Sequence, residues 1–111
     1  MIAAIARMFE RLSGRAQRRG MVLLMEHLTP TQREQFARRR YFDVIGGDTG
    51  IHYRIRNTRP MNVDVIRHGR CINRLCFEPE GELVLGDMLL AQKLALELYE
   101  TQTLARANYI P

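Results

Sequence analysis

The chain has 111 residues, of which 46% are hydrophobic and 26% are charged, and its formal net charge at pH 7 is +5. This composition is typical of a folded protein and excludes wholesale disorder. No apolar run approaches the roughly 18–20 residues that a membrane-spanning helix needs, so we expect no integral membrane segment. The charge balance is +6 over residues 1–40, +3 over 41–75 and −4 over 76–111. A basic front and an acidic back influence which partners a protein attracts.

The first predicted element is an amphipathic helix over residues 1–14. Its apolar residues recur at spacings of three and four, namely Ile2, Ile5, Phe9 and Leu12. Two interpretations stay open: the helix packs on the sheet, or it is detached and docks into a partner, a second copy in a homo-oligomer or a membrane surface. An arginine-rich start is also typical of an organelle transit peptide. The segment contains only one serine, Ser13, and therefore favours a cytoplasmic protein of a bacterium or phage.

Residues 15–40 form a basic helical segment in which two helices are predicted. The first contains Gly20, which weakens a helix by roughly 1 kcal/mol relative to alanine. The second begins at Thr29-Pro30, where threonine is a favourable N-cap and proline a favourable first residue. Gln32, at the third helical position, predicts a capping box.

Residues 41–77 predict a four-stranded antiparallel meander, because short alternating segments are separated by turn residues. One face of this sheet should pack on the helices and the other should face water. The clearest alternation assigns Ile51, Tyr53 and Ile55 to the packed face, and His52, Arg54 and Arg56 to the open face.

A long C-terminal helix is predicted over residues 86–108, with Asp87 as its N-cap and an apolar side rich in leucine and alanine. Glu97 and Glu100 are expected to face the solvent. Helical and alternating patterns are segregated along the chain, which predicts an α+β fold with this helix packed on one face of the sheet. We expect residues 1–111 to form a single domain.

The main candidate site is an arginine-rich face that binds nucleic acid. Arginine forms bidentate hydrogen bonds with phosphate, and a basic sheet face is a platform for such contacts. The candidate residues lie on or beside the sheet, and they are Arg38, Arg39, Arg40, His52, Arg54, Arg56, Arg59, Arg67, Arg70 and Arg74. Arg54 and Arg56 are expected to dominate, because they share one face of a strand about 7 Å apart. The alternative is that the arginines are solvated or paired with acids such as Asp43, Asp48 and Asp64.

Other chemistries have weaker support in the sequence. His68, Cys71 and Cys76 carry zinc-binding atoms, but their spacing is unlike that of structural zinc sites, so we expect free thiols and no metal. The glycine-rich segment 46–50 is able to cradle phosphate, but a strand follows it where a helix should, and a hairpin loop is predicted. No nucleophile lies beside a base in a recognisable pattern, so the sequence predicts neither enzymatic activity nor a cofactor.

Two functions therefore stay open. The leading hypothesis is a small nucleic-acid-associated protein that contacts phosphates with little sequence readout. The alternative is a protein-interaction or assembly subunit of a virion or complex, whose basic face meets an acidic protein surface and whose N-terminal helix docks into a neighbour. On the leading hypothesis, Arg54→Ala with Arg56→Ala weakens nucleic-acid binding and its salt dependence, and leaves thermal stability nearly unchanged.

Overall fold

The computed structural model describes residues 14–78, 81 and 83–110. The predicted N-terminal helix, with Ile2, Ile5, Phe9 and Leu12, lies outside these residues. The elements in chain order are α1 (Arg15–His27), α2 (Pro30–Arg39), β1 (Tyr41–Ile45), β2 (His52–Arg56), β3 (Val63–Arg67), β4 (Arg70–Cys76), α3 (Leu85–Leu98), α4 (Glu100–Arg106) and β5 (Asn108–Ile110). The predicted α+β class is confirmed.

The start of α2 follows the predicted local chemistry. The Thr29 side chain accepts a hydrogen bond from the Gln32 amide, and the Gln32 side chain accepts one from the Thr29 amide, which completes the capping box. The Gln32 side chain also donates to the backbone oxygen of Asp43, and the Asp43 amide donates to Gln35. Because β1 is an edge strand, these two glutamines satisfy backbone groups that another strand would otherwise pair with.

The sheet is the predicted antiparallel meander, with strand order β1-β2-β3-β4 and the short β5 added beyond β4. Its packed face carries Phe42, Tyr53, Ile55 and Leu75, each of which is buried. The opposite face, called the outer face here, carries the alternate residues of each strand. The predicted orientation is confirmed for His52–Arg56, where burial alternates in step with the sequence. The prediction that Ile51 lies on the packed face is wrong, since Ile51 precedes the strand and is 37% exposed.

The C-terminal helix differs from the prediction of one helix over 86–108. Helix α3 ends at Leu98, and Tyr99 leaves the helical conformation with φ −138° and ψ 42°. Helix α4 then begins at Glu100, and the chain from Asn108 pairs with β4 as a strand. Helix propensity does not reveal these changes, because both depend on partners elsewhere in the fold: a loop that binds Glu100, and the free edge of β4.

Helices α1 and α3 pack closely because glycine faces glycine. A Cβ atom on Gly86 would lie 2.4 Å from the carbonyl carbon of Gly20, and one on Gly20 would lie 2.6 Å from a Val84 methyl group. The residue that weakens α1 as an isolated helix is therefore the point at which α3 approaches it. Helix α3 in turn packs on β1 and β2, so the C-terminal helix covers one sheet face as predicted.

A buried amide pair also joins α3 to the sheet. Asn62 and Gln92 donate to each other's side-chain oxygens at 2.7 and 3.0 Å, and Gln92 also donates to the Phe77 backbone at 2.8 Å. Asn62 thus points inward and is buried. Across the described ranges, no helix is long and apolar enough to cross a membrane.

Candidate interaction surface on the outer face

Four charged residues form a row across the outer face, one from each strand of the meander. The register places Asp43 opposite Arg54, Arg54 opposite Asp64, and Asp64 opposite Arg74. Charges of opposite sign therefore alternate from β1 to β4, and directly opposed pairs of this kind stabilise a sheet. We call Asp43, Arg54, Asp64 and Arg74 the paired row.

Arg54 is the most strongly held member of the paired row. Its Nε and Nη2 atoms donate to the two carboxylate oxygens of Asp43 at 2.9 and 3.2 Å, and its guanidinium lies 4.0 Å from the centre of the Tyr41 ring. His52 adds a third contact, with Nε2 2.8 Å from Asp43 Oδ2. Burial raises the pKa of Asp43, but side-chain hydrogen bonds, of which those from Arg54 are the strongest, outweigh it, so that pKa lies below its ordinary value.

Asp64 binds the other two arginines of this face. Arg56 Nε lies 3.1 Å from Asp64 Oδ2, and Arg56 also donates to the Met61 backbone. Arg74 Nε lies 3.7 Å from Asp64 Oδ1. The two arginines expected to dominate phosphate binding are therefore engaged by carboxylates of the chain itself.

An apolar row lies beside the paired row on the same face. Two residues along each strand from the paired row, the register places Ile45 opposite His52 and His52 opposite Ile66. On β4 the register shift after Val65 places Cys71 opposite Ile66 and leaves Ile72 without a register partner, but Ile72 lines the same groove as His52 and Ile66. Ile45 is 56% exposed and Ile72 is 45% exposed. We call Ile45, His52, Ile66 and Ile72 the apolar row.

The apolar row borders a surface groove of about 450 Å³. The groove is lined by His52, Ile66 and Ile72 of the row, by Ile51, which is 37% exposed, and by Gly50, Val65, Arg67 and His68. Aliphatic side chains, two imidazole rings and the Arg67 side chain thus share one opening at the end of the sheet where the β1–β2 loop and the β3–β4 turn emerge.

The hairpin tip beyond this row carries arginines of a different kind. Arg67 and Arg70 are directly opposite each other on β3 and β4, and both are exposed. Among the described residues, neither side chain has an ion-pair or hydrogen-bond partner. The turn between them has φ 51° at His68 and 75° at Gly69, so both central residues are left-handed.

The remaining candidate arginines lie on other parts of the structure. Arg38 pairs with Glu34 one turn earlier at 3.3 Å, and Arg39 is exposed. Arg40 ends α2 in the left-handed conformation and donates to the Ala37 backbone. Arg59 donates to the Leu83 backbone. The structure therefore groups His52, Arg54, Arg56 and Arg74 on the outer face, whereas Arg38 and Arg39 lie on α2 and Arg40 lies at its end beside Asn57.

The predicted hairpin loop at 46–50 does bind an anion, and the anion is Glu100 of the same chain. The amides of Asp48 and Thr49 donate to Glu100 Oε1 at 2.9 and 2.8 Å. The hydroxyls of Thr49 and Tyr53 donate to Glu100 Oε2 at 2.5 and 2.6 Å. The expectation that Glu100 faces solvent is therefore wrong, since Glu100 is 0% exposed.

The geometry of the loop explains why it contains paired glycines. A Cβ on Gly46 would lie 2.1 Å from the Glu100 carboxylate, and one on Gly47 would lie 1.9 Å from the Glu97 backbone oxygen. Burial raises the pKa of Glu100, but hydrogen bonds from Thr49, Tyr53 and the Asp48 amide outweigh it, and the pKa is lowered. The glycine pair was the sequence signal for this close approach, although it did not identify the partner.

The metal-ligand pattern of the sequence is not gathered into a site. Cys71 is exposed and Cys76 is half-buried, and both are free thiols. In residues 14–78, 81 and 83–110, no group of three His, Cys, Asp or Glu residues could hold a metal ion. Comparisons with protein-family models, with curated proteins and with solved structures find no match to this chain.

Proposed function

We propose that this chain is a non-enzymatic protein-interaction subunit that binds an acidic protein surface through the apolar row and the neighbouring hairpin. The observation that carries the proposal is the juxtaposition of exposed isoleucines with arginines that lack partners among the described residues. Ile45, Ile51 and Ile72 are 56%, 37% and 45% exposed. Arg67 lines the same groove as two of them.

This combination matches the composition of protein interfaces. The buried centre of an interface is apolar and depleted in lysine and acids, whereas arginine is enriched there. The apolar row would supply the centre, and the paired row would form a polar border on one side. The border requires no charge from the partner, because its arginines and aspartates already neutralise each other.

The same neutralisation weakens the case for nucleic acid on the outer face. Unpaired arginines favour phosphate binding because they neutralise phosphates and release the counterions bound there. Arg54 and Arg56 would first have to break their ion pairs with Asp43 and Asp64. Stacking of bases needs open aromatic faces, and the guanidinium of Arg54 occupies one face of the Tyr41 ring. The isoleucines beside the row provide no substitute for such rings.

Nucleic acid remains a second candidate because of a different surface. Arg15, Arg18 and Arg19 are exposed on successive turns of α1, and no partner for them exists among the described residues. Such a stripe matches the basic helices that contact phosphates. A salt titration of oligonucleotide binding tests it, because log K falls by roughly 0.7–0.9 per phosphate contact for each log unit of salt.

The proposal is tested by selecting ligands from a display library of random peptides on the purified full chain. We expect selected peptides to combine aspartate or glutamate with leucine, isoleucine or valine. Ile51→Ser with Ile72→Ser should abolish their binding. The matched control is Val22→Ser with Leu23→Ser, since both residues are 42% exposed on α1. Equal losses in both variants, or salt-dependent oligonucleotide binding without peptide selection, would overturn the proposal.

A further inference from the structure

We infer that Arg67 and Arg70 form a clamp for a carboxylate of the protein partner, at the end of the groove that the apolar row borders. This inference rests on the proposed function and specifies which chemical group the partner must present. The two arginines are directly opposed on β3 and β4, so their side chains leave the same side of the hairpin.

The opposition of like charges is the first observation behind the clamp. Directly opposed like charges destabilise a strand pair, and directly opposed unlike charges stabilise it. The sheet obeys this rule in the paired row, where Asp43, Arg54, Asp64 and Arg74 alternate in sign. It departs from the rule at Arg67 and Arg70. An anion bound between the two guanidinium groups would remove the repulsion.

The turn between the arginines is the second observation. Both central residues have positive φ, as in the type I′ turns that match the twist of a hairpin. Gly69 adopts this conformation without cost, whereas His68 adopts a region that asparagine or glycine fills more readily. His68 lines the groove together with Arg67, so the turn provides an imidazole beside one of the two arginines.

The chemistry of the groove selects a carboxylate on a protein segment. Guanidinium groups form planar, bidentate hydrogen bonds with carboxylates. The groove that Arg67 lines also contains Ile51, Ile66 and Ile72, which favour an aliphatic neighbour of the bound acid. A nucleic acid would place sugars and further phosphates against these isoleucines. The expected ligand is therefore an acidic residue next to leucine, isoleucine or valine.

The test is an NMR titration of the full chain with an acetylated Asp-Ile-Asp-Ile-Asp peptide, with the corresponding Asn-Ile-Asn-Ile-Asn peptide as the uncharged probe. We expect Arg67→Ala with Arg70→Ala to lower the affinity for the acidic peptide about tenfold, or about 1.4 kcal/mol. Arg18→Ala with Arg19→Ala removes the same charge from α1 and should change the affinity less than about twofold. Arg67→Lys with Arg70→Lys should lose most of the affinity, because lysine cannot form the bidentate fork.

The outcomes separate the clamp from the proposed function. Equal losses in the hairpin and α1 variants, or equal binding of both peptides, would overturn the clamp. Loss of binding in I51S/I72S but not in R67A/R70A would overturn the clamp and leave the proposed function standing. Absence of peptide binding to the folded chain would overturn both. If a thymidine oligonucleotide displaced the peptide, and R67A/R70A weakened the binding of both ligands, the carboxylate proposal would be overturned in favour of a phosphate ligand. Backbone amide spectra establish that each variant is folded.

Discussion

The β1–β2 loop and the β3–β4 hairpin emerge from the same end of the sheet, but they differ in where their anion comes from. The loop donates backbone and hydroxyl hydrogen bonds to Glu100, a carboxylate supplied by the start of α4. The hairpin presents Arg67 and Arg70, which have no such partner among the described residues. The paired row resembles the loop, since Asp43 and Asp64 bind its arginines.

This comparison shows why net charge is a poor guide to where a basic protein binds. Segment 41–75 carries a balance of +3, but three of its six arginines are paired with aspartates, two lie at the hairpin, and Arg59 donates to a backbone oxygen. The register of the strands makes that division, because it decides which carboxylate faces which guanidinium. Substitutions of residues in internal ion pairs should therefore lower the stability of the fold. Substitutions of the hairpin arginines, which have no carboxylate partner among the described residues, should instead alter binding.

The largest effect is expected at Glu100. Glu100→Ala removes a buried acceptor and leaves the donors of Asp48, Thr49 and Tyr53 without it. We expect a loss of about 3 kcal/mol in the free energy of unfolding, measured by urea denaturation, because unsatisfied buried donors keep their full desolvation cost. The control is Glu34→Ala, an exposed partner of Arg38, which should cost no more than about 0.5 kcal/mol. Similar values for the two variants would contradict the role of Glu100.

The next effect concerns the paired arginines. Arg54→Ala with Arg56→Ala removes a bidentate ion pair, a stacked guanidinium and the main partner of Asp64. We expect a loss of about 2 kcal/mol, because the aspartates remain partly buried without their cations. These contacts replace the earlier expectation of unchanged stability. Thermal unfolding of this variant is compared with that of R67A/R70A. A smaller loss of stability in R54A/R56A than in R67A/R70A would contradict the assignment of Arg54 and Arg56 to internal ion pairs.

The pH dependence of stability should follow the internal anions. The pKa values of Asp43 and Glu100 are lowered from ordinary values of 3.8 and 4.5. A lowered pKa contributes stability that is complete above the unfolded value and disappears as the pH falls through the folded one. The stability of the wild type should therefore fall below about pH 4.5. The difference in the free energy of unfolding between the wild type and Glu100→Gln should become smaller over the same pH range. A difference that stays constant with pH in urea titrations would contradict a contribution from the lowered pKa of Glu100.

The smallest expected effect is a gain at the hairpin. Arg70→Glu changes an opposed like-charge pair into an opposite-charge pair and should raise the free energy of unfolding by roughly 0.5 kcal/mol. Arg67→Glu should act in the same way, whereas the double substitution restores repulsion. A double-mutant cycle therefore isolates the pair from other effects of each change. Additive gains in the double variant would show that repulsion between Arg67 and Arg70 is absent.

The sequence was sufficient to predict the meander and the start of α2, because both depend on local signals. Alternation identified the packed and outer faces of β2, and Thr29 with Gln32 identified the capping box. The end of α3 and the addition of β5 were not predictable in this way. Both depend on contacts between residues about 30 to 60 positions apart, which helix propensity does not register.

The candidate site was predicted only in part, for the same physical reason. The alternation of β2 placed Arg54 on the open face correctly, but it could not align Asp43 and Asp64 on either side of it. Pairing with acids was an open alternative, and the register of three strands is needed to decide it. Glu100 carried no local sign of burial, since the loop that binds it lies some 50 residues earlier.

The most direct test of the central claim is the solvent exchange of arginine Nε–H groups, followed by NMR with and without the acidic peptide. Arg54 and Arg56 should give protected Nε–H signals that the peptide does not shift, because Asp43 and Asp64 already accept their hydrogen bonds. Arg67 and Arg70 should exchange rapidly in the free chain and become protected as the peptide is added. Rapid exchange at Arg54 and Arg56, with peptide-induced shifts there and none at the hairpin, would contradict the account.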